Sequence, residues 1–579
     1  MHAGRHNGKV FNDPIHSSVQ MPKHCQIIID TPEFQRLRFI KQLGCTCYVF
    51  PSAVHTRFEH SIGVSHLGGK LASMLQHNDR NSSVPIQNTE VACVEIAGLC
   101  HDIGHGPFSH AFEDIVPPDK DGKKWKHEEQ SVILFRYLIQ HNSLEKKLEE
   151  HNIYAKDIDF ICQLILGVKK DEEMLRENKF CLYQIVNNSV NGVDVDKWDY
   201  FARDTHYLGM KSAFDFNRIL PFVKVFDVKR GSKTRGELCF RDKVASDLNH
   251  MFLTRRRLHY TSYQHRVSKI ITIMLKDAFR EAADHLVFVG KGGKEYNLLE
   301  SVKDPEAFCQ VNDTIVNEIM RSRSQESGMV KAREIIDRIH KRELYQCIAE
   351  CQHANEEMRT VDSAVIKRLI VIDADDLSSL SSSSLMEIFR ADNIEVEVSH
   401  FDYGSGDKNP LLDIPFYKKT GDGKFDAELL PEDKLPADLP QRLLDVTFRI
   451  YTKVPKLDRE TIKNARDRCT TRLEMINRRR RSVPTTPVKQ KVRSPPIGRM
   501  ASSPPIGAVS PLNSIPSYGL DSFVSTDGDA GIPSLMSNPP DAAAAALGTG
   551  SAEFNSRGSR SPEPEAKVTL DTTKRQITF

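Results

Sequence analysis

The chain has no run of about 18 apolar residues, so a membrane-spanning helix is not expected. Its first stretch, MHAGRHNGKVFNDPIH, lacks the apolar segment of a secretory signal. The 12 cysteines occur without a paired CxxC…CxxC or CxxC…HxxxH arrangement, which argues against a zinc ribbon or finger. Scattered thiols of this kind suit a reducing, soluble, intracellular compartment, nucleus or cytoplasm. Charge of one sign is also missing: 80 basic residues against 78 acidic ones leave +2, so no global field announces nucleic acid or membrane. Any polyanion site must therefore be local. Hydrophobic residues are 39% of the chain, and the 29 prolines and 31 glycines are unevenly placed. The first three-quarters of the chain looks foldable and the end does not. No internal repeat is found.

With 579 residues, the chain exceeds the size at which one core stops growing, so two to four units are expected. From residue 9 to about 355 the pattern is mainly helical. Phe58, Ile62, Leu67, Leu71 and Leu75 form one broad apolar face between Thr56 and Gln76. Val91 to Cys100 is a second apolar run, broken by Gly104, Gly106 and Pro107, and Ser109 is placed to cap the helix that follows. Further helices are expected at 129–141, 145–151, 155–166, 189–207, 243–257, 262–287 and 331–353. A short β-like stretch, Glu237 to Arg241, follows the turn-like residues 230–236. Beyond residue 360, Arg368 to Ile372, Ile394 to Ser399 and Leu444 to Ile450 read as strands, with a helix Ser383 to Phe389 and a basic closing helix Arg459 to Arg481. The expected fold is mainly α: a flexible start (1–8), a helical core (9–355), a small α+β lobe with the basic helix (356–481), and a tail (482–579). That Pro-, Ser-, Gly- and Ala-rich tail cannot bury enough surface to offset its ordering entropy, so disorder is expected there.

Histidine is the informative residue, with 22 in the chain and several packed between His55 and His127. Three separated pieces stand out: Arg57-Phe-Glu-His60, His101-Asp102 and Asp194-Val-Asp196. Two imidazoles and two carboxylates make a sensible donor set for a divalent transition metal, with positions left for water and phosphate oxygens. A lone histidine is more often a satisfied core residue. Here, however, His101-Asp-Ile-Gly-His-Gly-Pro-Phe-Ser-His110 packs three histidines and two glycines around an acid. His105 and His110 could contact phosphate or move protons, and His127 is a further proton-transfer candidate. In Asp194-Val-Asp-Lys-Trp-Asp-Tyr-Phe-Ala-Arg-Asp204, a helix would place Asp196, Tyr200 and Asp204 on one face with Lys197 beside them. A metal ligand, a phosphate cation, an aromatic surface and a hydroxyl acceptor would then follow in the order of a nucleotide's parts.

On these residues the chain resembles the animal SAM-and-HD-domain deoxynucleoside triphosphate triphosphohydrolases of the HD superfamily. The likeness runs from Lys9-Val-Phe-Asn-Asp-Pro-Ile-His16 to about Lys456 and includes Asp30-Thr-Pro-Glu-Phe-Gln-Arg-Leu-Arg38, Lys41-Gln-Leu43, Tyr48-Val-Phe-Pro51 and Tyr263-Gln-His265. His-Asp alone is a weak motif; these longer strings are specific. The resemblance implies an HD-type helical phosphohydrolase core that holds one metal (zinc, iron or manganese) on His60, His101, Asp102 and Asp196, with Mg2+ accompanying the nucleotides. It implies phosphate contacts from Arg57, His105, His110, Lys197 and Arg255, with His110 and His127 as proton-transfer candidates. Gln42 and Asp204 would bind the 3′-hydroxyl, Tyr263 and Leu43 would pack where a ribose 2′-hydroxyl would clash, and Tyr200, His259 and Gln264 would complete the substrate contacts. Water attack at the α-phosphorus would give deoxynucleoside and triphosphate.

The same resemblance implies activation by GTP and deoxynucleotides through a homotetramer that controls deoxynucleotide pools. The guanine-selective activator would meet Lys9, Val10, Asn12, Asp30, Gln35 and Arg38. The second activator would meet Val49, Phe50, Arg218, Phe222, Arg241, Lys243, His265, Arg266 and Arg342. This chain departs from the family pattern in Gln346, where a basic residue is expected, in Asp247, where an amide is expected, and in showing no SAM domain before the core. The two replacements should weaken the second site, by roughly 1–3 kcal/mol for close charged contacts. In the tail, Thr486-Pro and the Ser-Pro pairs at 494, 503 and 510 match a proline-directed kinase, and Arg478 to Arg481 could serve nuclear import or contact single-stranded nucleic acid. The alternatives are another HD-type nucleotide phosphohydrolase, or a nucleic-acid-binding protein with a vestigial site.

Overall fold

A computed structural model describes residues 8–78, 85–168, 174–352, 362–371, 382–436, 440 and 442–479. The expected tail from Ser482, with Thr486, lies outside these residues, as do residues 1–7 and Arg480–Arg481. The two apolar runs of the sequence form the helices Arg57–Asn78 and Asn88–Cys100, packed against each other. The second is buried from Glu90 to Cys100, as a helix apolar on nearly every face must be. Around this pair lie His127–His141, Ala155–Leu166 and Val195–Tyr207, then the later helices Ala245–Leu258, Arg266–Ala282 and Ser327–Lys341. At the N-terminus a hairpin, Val10–Asp13 with Ser17–Gln20, pairs antiparallel.

Two larger sheets and a small antiparallel pair, Val287–Val289 with Glu295–Asn297, complete the mainly α fold of the described residues. The strand Lys233–Arg241 pairs antiparallel with Val223–Arg230 and parallel with Pro415–Lys419, and the latter also pairs with Phe425–Leu429. In the second sheet Asp445–Thr452 is central, flanked antiparallel by Gln346–Cys351 and Ile394–Phe401, with a bulge between Ile450 and Tyr451. A separate apolar cluster lies between this sheet and three helices: Ile366 and Ile370, Ile388, and Ala465 and Cys469 of the basic helix Arg459–Arg479.

Several expected elements differ. Arg368 to Ile370 is not a strand but the end of the helix Ser363–Ile370. Val365, Ile366, Leu369 and Ile370 recur at helical spacing, and the Asp362 side chain accepts from Ala364 N, so a cap and a face override β-branched content. The helix expected at 331–353 stops at Lys341, where Arg342 takes a left-handed φ of 61°, and Gln346–Cys351 becomes the edge strand named above. The helix expected from 189 starts at Val195, because Asp194 caps it by accepting from Lys197 N. In place of one helix over 262–287, a π-helical turn His259–Tyr263 precedes Arg266–Ala282, and Val287–Val289 is a strand. The partner strand Val223–Arg230 was not foreseen. Ser109 precedes the short helix His110–Glu113 but does not cap it: its hydroxyl donates to Lys41 O and accepts from Arg57 Nε. No helix among the described residues is long and apolar enough to cross a membrane.

Candidate active site

Three helices bring the four expected metal ligands together. His60 sits in the first turn of Arg57–Asn78, His101 and Asp102 at the end of Asn88–Cys100, and Asp196 in the first turn of Val195–Tyr207. His60 Nε2 lies 3.1 Å from Asp196 Oδ1 and 3.5 Å from Asp102 Oδ2. His101 Nε2 lies 3.4 Å from both Asp102 Oδ1 and Asp196 Oδ1. Each imidazole is fixed from behind: His60 Nδ1 meets Asp199 Oδ2 at 2.7 Å, and His101 Nδ1 meets Gly98 O at 2.8 Å. The acceptors claim the Nδ1 protons, so the two Nε2 atoms, which face the carboxylates, are the nitrogens left for a metal. His101 Nε2 is buried with no hydrogen-bond partner among the described residues. Convergent lone pairs, an orphaned nitrogen and two carboxylates fit a divalent transition metal.

Three of these ligands, His101, Asp102 and Asp196, line a cavity of about 610 Å³ together with Gln42, Leu43, Arg57, His105, His110, His127, Lys197, Tyr200, Asp204, His259, Tyr263 and Gln264. The Arg57 guanidinium pairs with Asp102 at 2.5 Å. Burial would raise the Asp102 carboxyl, but Arg57 and the neighbouring histidines hold it well below the usual carboxylate range. Lys197 Nζ lies 2.8 Å from Asp194 Oδ2. Arg255 is the expected phosphate contact not found among the lining residues; it pairs with Asp402 at 2.5 Å. His105 and His127 stack at 3.8 Å, and His110 packs edge-on to both. Burial, reinforced by Arg57 and His127, keeps His105 well below the ordinary imidazole range and therefore neutral. The loop carrying these groups is strained: Phe108 and Ser109 both have positive φ, 55° and 58°. Asp313 holds it by accepting from Phe108 N at 2.6 Å and Lys41 N at 3.0 Å, which ties it to the Gln42–Leu43 segment.

In the same lining Tyr263 Oη donates to Asp204 Oδ2, and His55 Nε2 meets Asp204 Oδ1 at 2.7 Å. The Gln42 side-chain oxygen is buried without a partner among the described residues. His259 faces Gln264 at 3.3 Å, and burial, then Arg255, lowers it to about 3. The π-helical turn His259–Tyr263 aims this group inward, as such turns often do at functional sites.

Glu113, His55, Asp199 and Asp313 were not foreseen. Glu113 and Asp199 had a local signal, i,i+3 spacings from His110 and Asp196; the Glu113 oxygens meet His110 Nδ1 at 3.0 Å and His127 Nδ1 at 2.6 Å.

The residues implied for the first activator form one cluster. Lys9 pairs with Asp30 at 2.6 Å, Arg38 donates to Gln35 at 2.7 Å, and Val10 is exposed on the adjoining hairpin strand that also carries Asn12. The second set divides into two groups. In one, Phe50 packs on His265 at 5.9 Å, next to Val49 and Arg266, while Arg342 donates to Tyr48 O. In the other, Lys243 lies 3.8 Å over Phe222, and Arg218 pairs with Asp247 at 2.8 Å; Arg241 pairs with Asp242 at 2.7 Å. The departure Asp247 thus already occupies Arg218.

The helical core and its His/Asp centre define an HD-domain protein, and residues 57–204 match the HD domain family. The chain is 40% identical over 477 residues to the deoxynucleoside triphosphate triphosphohydrolase SAMHD1 of Xenopus laevis, covering 79% of this chain and 73% of that protein. It is 38% identical over 470 residues to the human SAMHD1 triphosphohydrolase, with 79% and 72% covered. It is also 35% identical over 419 residues to the SAMHD1 homolog of Dictyostelium discoideum, with 72% of each covered. The chain therefore belongs to the SAMHD1 deoxynucleoside triphosphate triphosphohydrolase family.

Proposed function

We propose that this chain hydrolyses deoxynucleoside triphosphates to deoxynucleoside and inorganic triphosphate. The observation that carries the reading is one cavity lined both by His101, Asp102 and Asp196, which His60 joins at 3.1 Å from Asp196, and by Gln42, Tyr263 and Asp204. A divalent transition metal on those four residues would supply Lewis acidity toward a phosphate oxygen and lower the pKa of a bound water. Lys197, placed beside Asp196, supplies positive charge for the phosphate chain. His110 and His127, both tethered through Nδ1 to Glu113, present their Nε2 atoms for proton transfer to the leaving 5′-oxygen. The orphaned Gln42 oxygen accepts from the 3′-hydroxyl. Tyr263, locked by Asp204, and Leu43 close the space where a 2′-hydroxyl would sit. Activation by GTP and deoxynucleotides through a tetramer, and through it control of deoxynucleotide pools, is part of the same proposal; its support is the Lys9–Asp30 and Phe50–His265 clusters and the family relation.

The test is incubation of the purified protein with dATP and Mg2+, with and without GTP, beside a His101→Ala/Asp102→Ala variant, with products resolved by ion-pair chromatography. Deoxyadenosine and triphosphate, lost in the variant and dependent on GTP, are the expected outcome. Product without GTP dependence removes the activation; no nucleoside from metal-loaded protein overturns the activity.

A further inference from the structure

We propose that Asp199 is the positioning residue of the metal centre, and that through Arg203 and Asp13 it makes the turn of the N-terminal hairpin part of that centre. The proposal rests on reading the His/Asp cluster as a metal site. Asp196 and Asp199 are three residues apart on one helix, so one face supplies both the carboxylate before His60 and the one behind it. All of Asp199's acceptor capacity is used. Its Oδ2 accepts from His60 Nδ1 at 2.7 Å and Arg203 Nε at 2.8 Å, and its Oδ1 from His16 Nε2 at 2.6 Å and Arg203 Nη2 at 2.9 Å. A carboxylate only accepts, so His60 holds a proton on Nδ1, which leaves Nε2, facing Asp196, as the nitrogen that a metal would take.

Arg203 extends the set outward, donating to Asp13 Oδ2 at 2.8 Å. Asp13 Oδ1 in turn accepts from Ile15 N at 2.8 Å and His16 N at 2.9 Å, closing the hairpin turn. The chain makes room for this: a Cβ on Gly63 would come within 1.9 Å of Asp199 Oδ1. Two carboxylates face one guanidinium, so negative charge remains behind His60 and favours its bonding to a cation. Buried ionic sets of this kind are weak stabilisers, which makes a positioning role the better account of why one is built here.

Full-length wild-type, Asp199→Asn and Asp13→Asn proteins, stripped of metal, are titrated with Co2+ by visible absorption. Circular dichroism and melting of the metal-free proteins serve as folding controls. Asp199→Asn is expected to weaken Co2+ binding by about 10–100-fold. Asp13→Asn, whose amide oxygen keeps the turn, is expected to weaken it by a smaller factor. Unchanged affinity in folded Asp199→Asn overturns the proposal; where that variant does not fold, unchanged affinity in Asp13→Asn does so. Failure of the unmutated chain to take up Co2+ also overturns it, and a loss confined to Asp199→Asn removes the hairpin from it. A chain that binds Co2+ and shows these losses yet leaves dATP intact keeps the positioning role and overturns only the proposed activity.

Discussion

Glu113 gives the sharpest test of the proposed proton transfer, because it touches both candidate histidines and does not line the cavity. Burial would raise its carboxyl, but hydrogen bonds from His110 and His127 hold it well below the usual range, so it is an anion that fixes both rings. In Glu113→Gln one oxygen becomes an NH2 group, which cannot accept, and one imidazole loses its anchor. His127 sits at 2.6 Å and is the more buried partner, whereas the His110 side chain is 70% exposed, so misplacing His127 is the costlier result. A hydrogen bond to a charged group is worth about 1.5–3 kcal/mol. If about 2–3 kcal/mol of that is expressed only in the transition state, kcat falls about 30- to 150-fold. KM should stay near wild type, since the substrate does not meet this carboxylate. Initial rates of triphosphate release over a dATP series, with a single-turnover measurement to isolate chemistry, check both parts. A kcat within threefold of wild type, or a loss carried by KM alone, would refute the reasoning.

Tyr263→Phe removes the hydroxyl that donates to Asp204, and the preference for dATP over ATP in kcat/KM should fall by about tenfold, as loss of one buried hydrogen bond allows; an unchanged ratio would assign sugar selection elsewhere. Gly104→Ala places a Cβ 2.3 Å from both His127 O and Ser131 N, backbone atoms that cannot yield cheaply, so a loss of about 1–3 kcal/mol and a lower melting temperature are expected. His66 has its imidazole pKa lowered to about 4 by burial, with His16 and Lys70 adding to the effect. The unfolded chain, titrating near 6.5, binds that proton first as pH falls, so stability contributed by neutral His66 is lost between about pH 6.5 and 4. His66→Gln should flatten the stability profile in that window, and a parallel offset of the two profiles would contradict the assignment.

The residues legible in the sequence and those that were not fall on opposite sides of the same contacts. His60, His101, Asp102, Asp196 and Asp204 lie in short strings whose composition is improbable for a plain core, and helical spacing alone put Asp196, Tyr200 and Asp204 on one face. Asp199, His55, Glu113 and Asp313 hold those residues in place. Asp199 reaches His60 across 139 positions, His55 reaches Asp204 across 149, and Asp313 reaches Phe108 across 205. An i,i+3 spacing such as that of Glu113 or Asp199 does not separate a carboxylate from a solvated surface charge, and Asp313 has no local signal, so only the tertiary fold could identify their partners. The same limit explains the secondary-structure differences. The run at 368–372 is β-branched enough to suggest a strand; Ile372 lies outside the described residues, and for Arg368 to Ile370 what decided otherwise was the apolar face that Ile366 and Ile370 bury against the sheet. Ligand identity is thus local information and ligand orientation is not. Of the two, orientation sets which imidazole nitrogen faces the site, so substitutions at the hidden partners should shift metal affinity and turnover while leaving every recognisable motif intact.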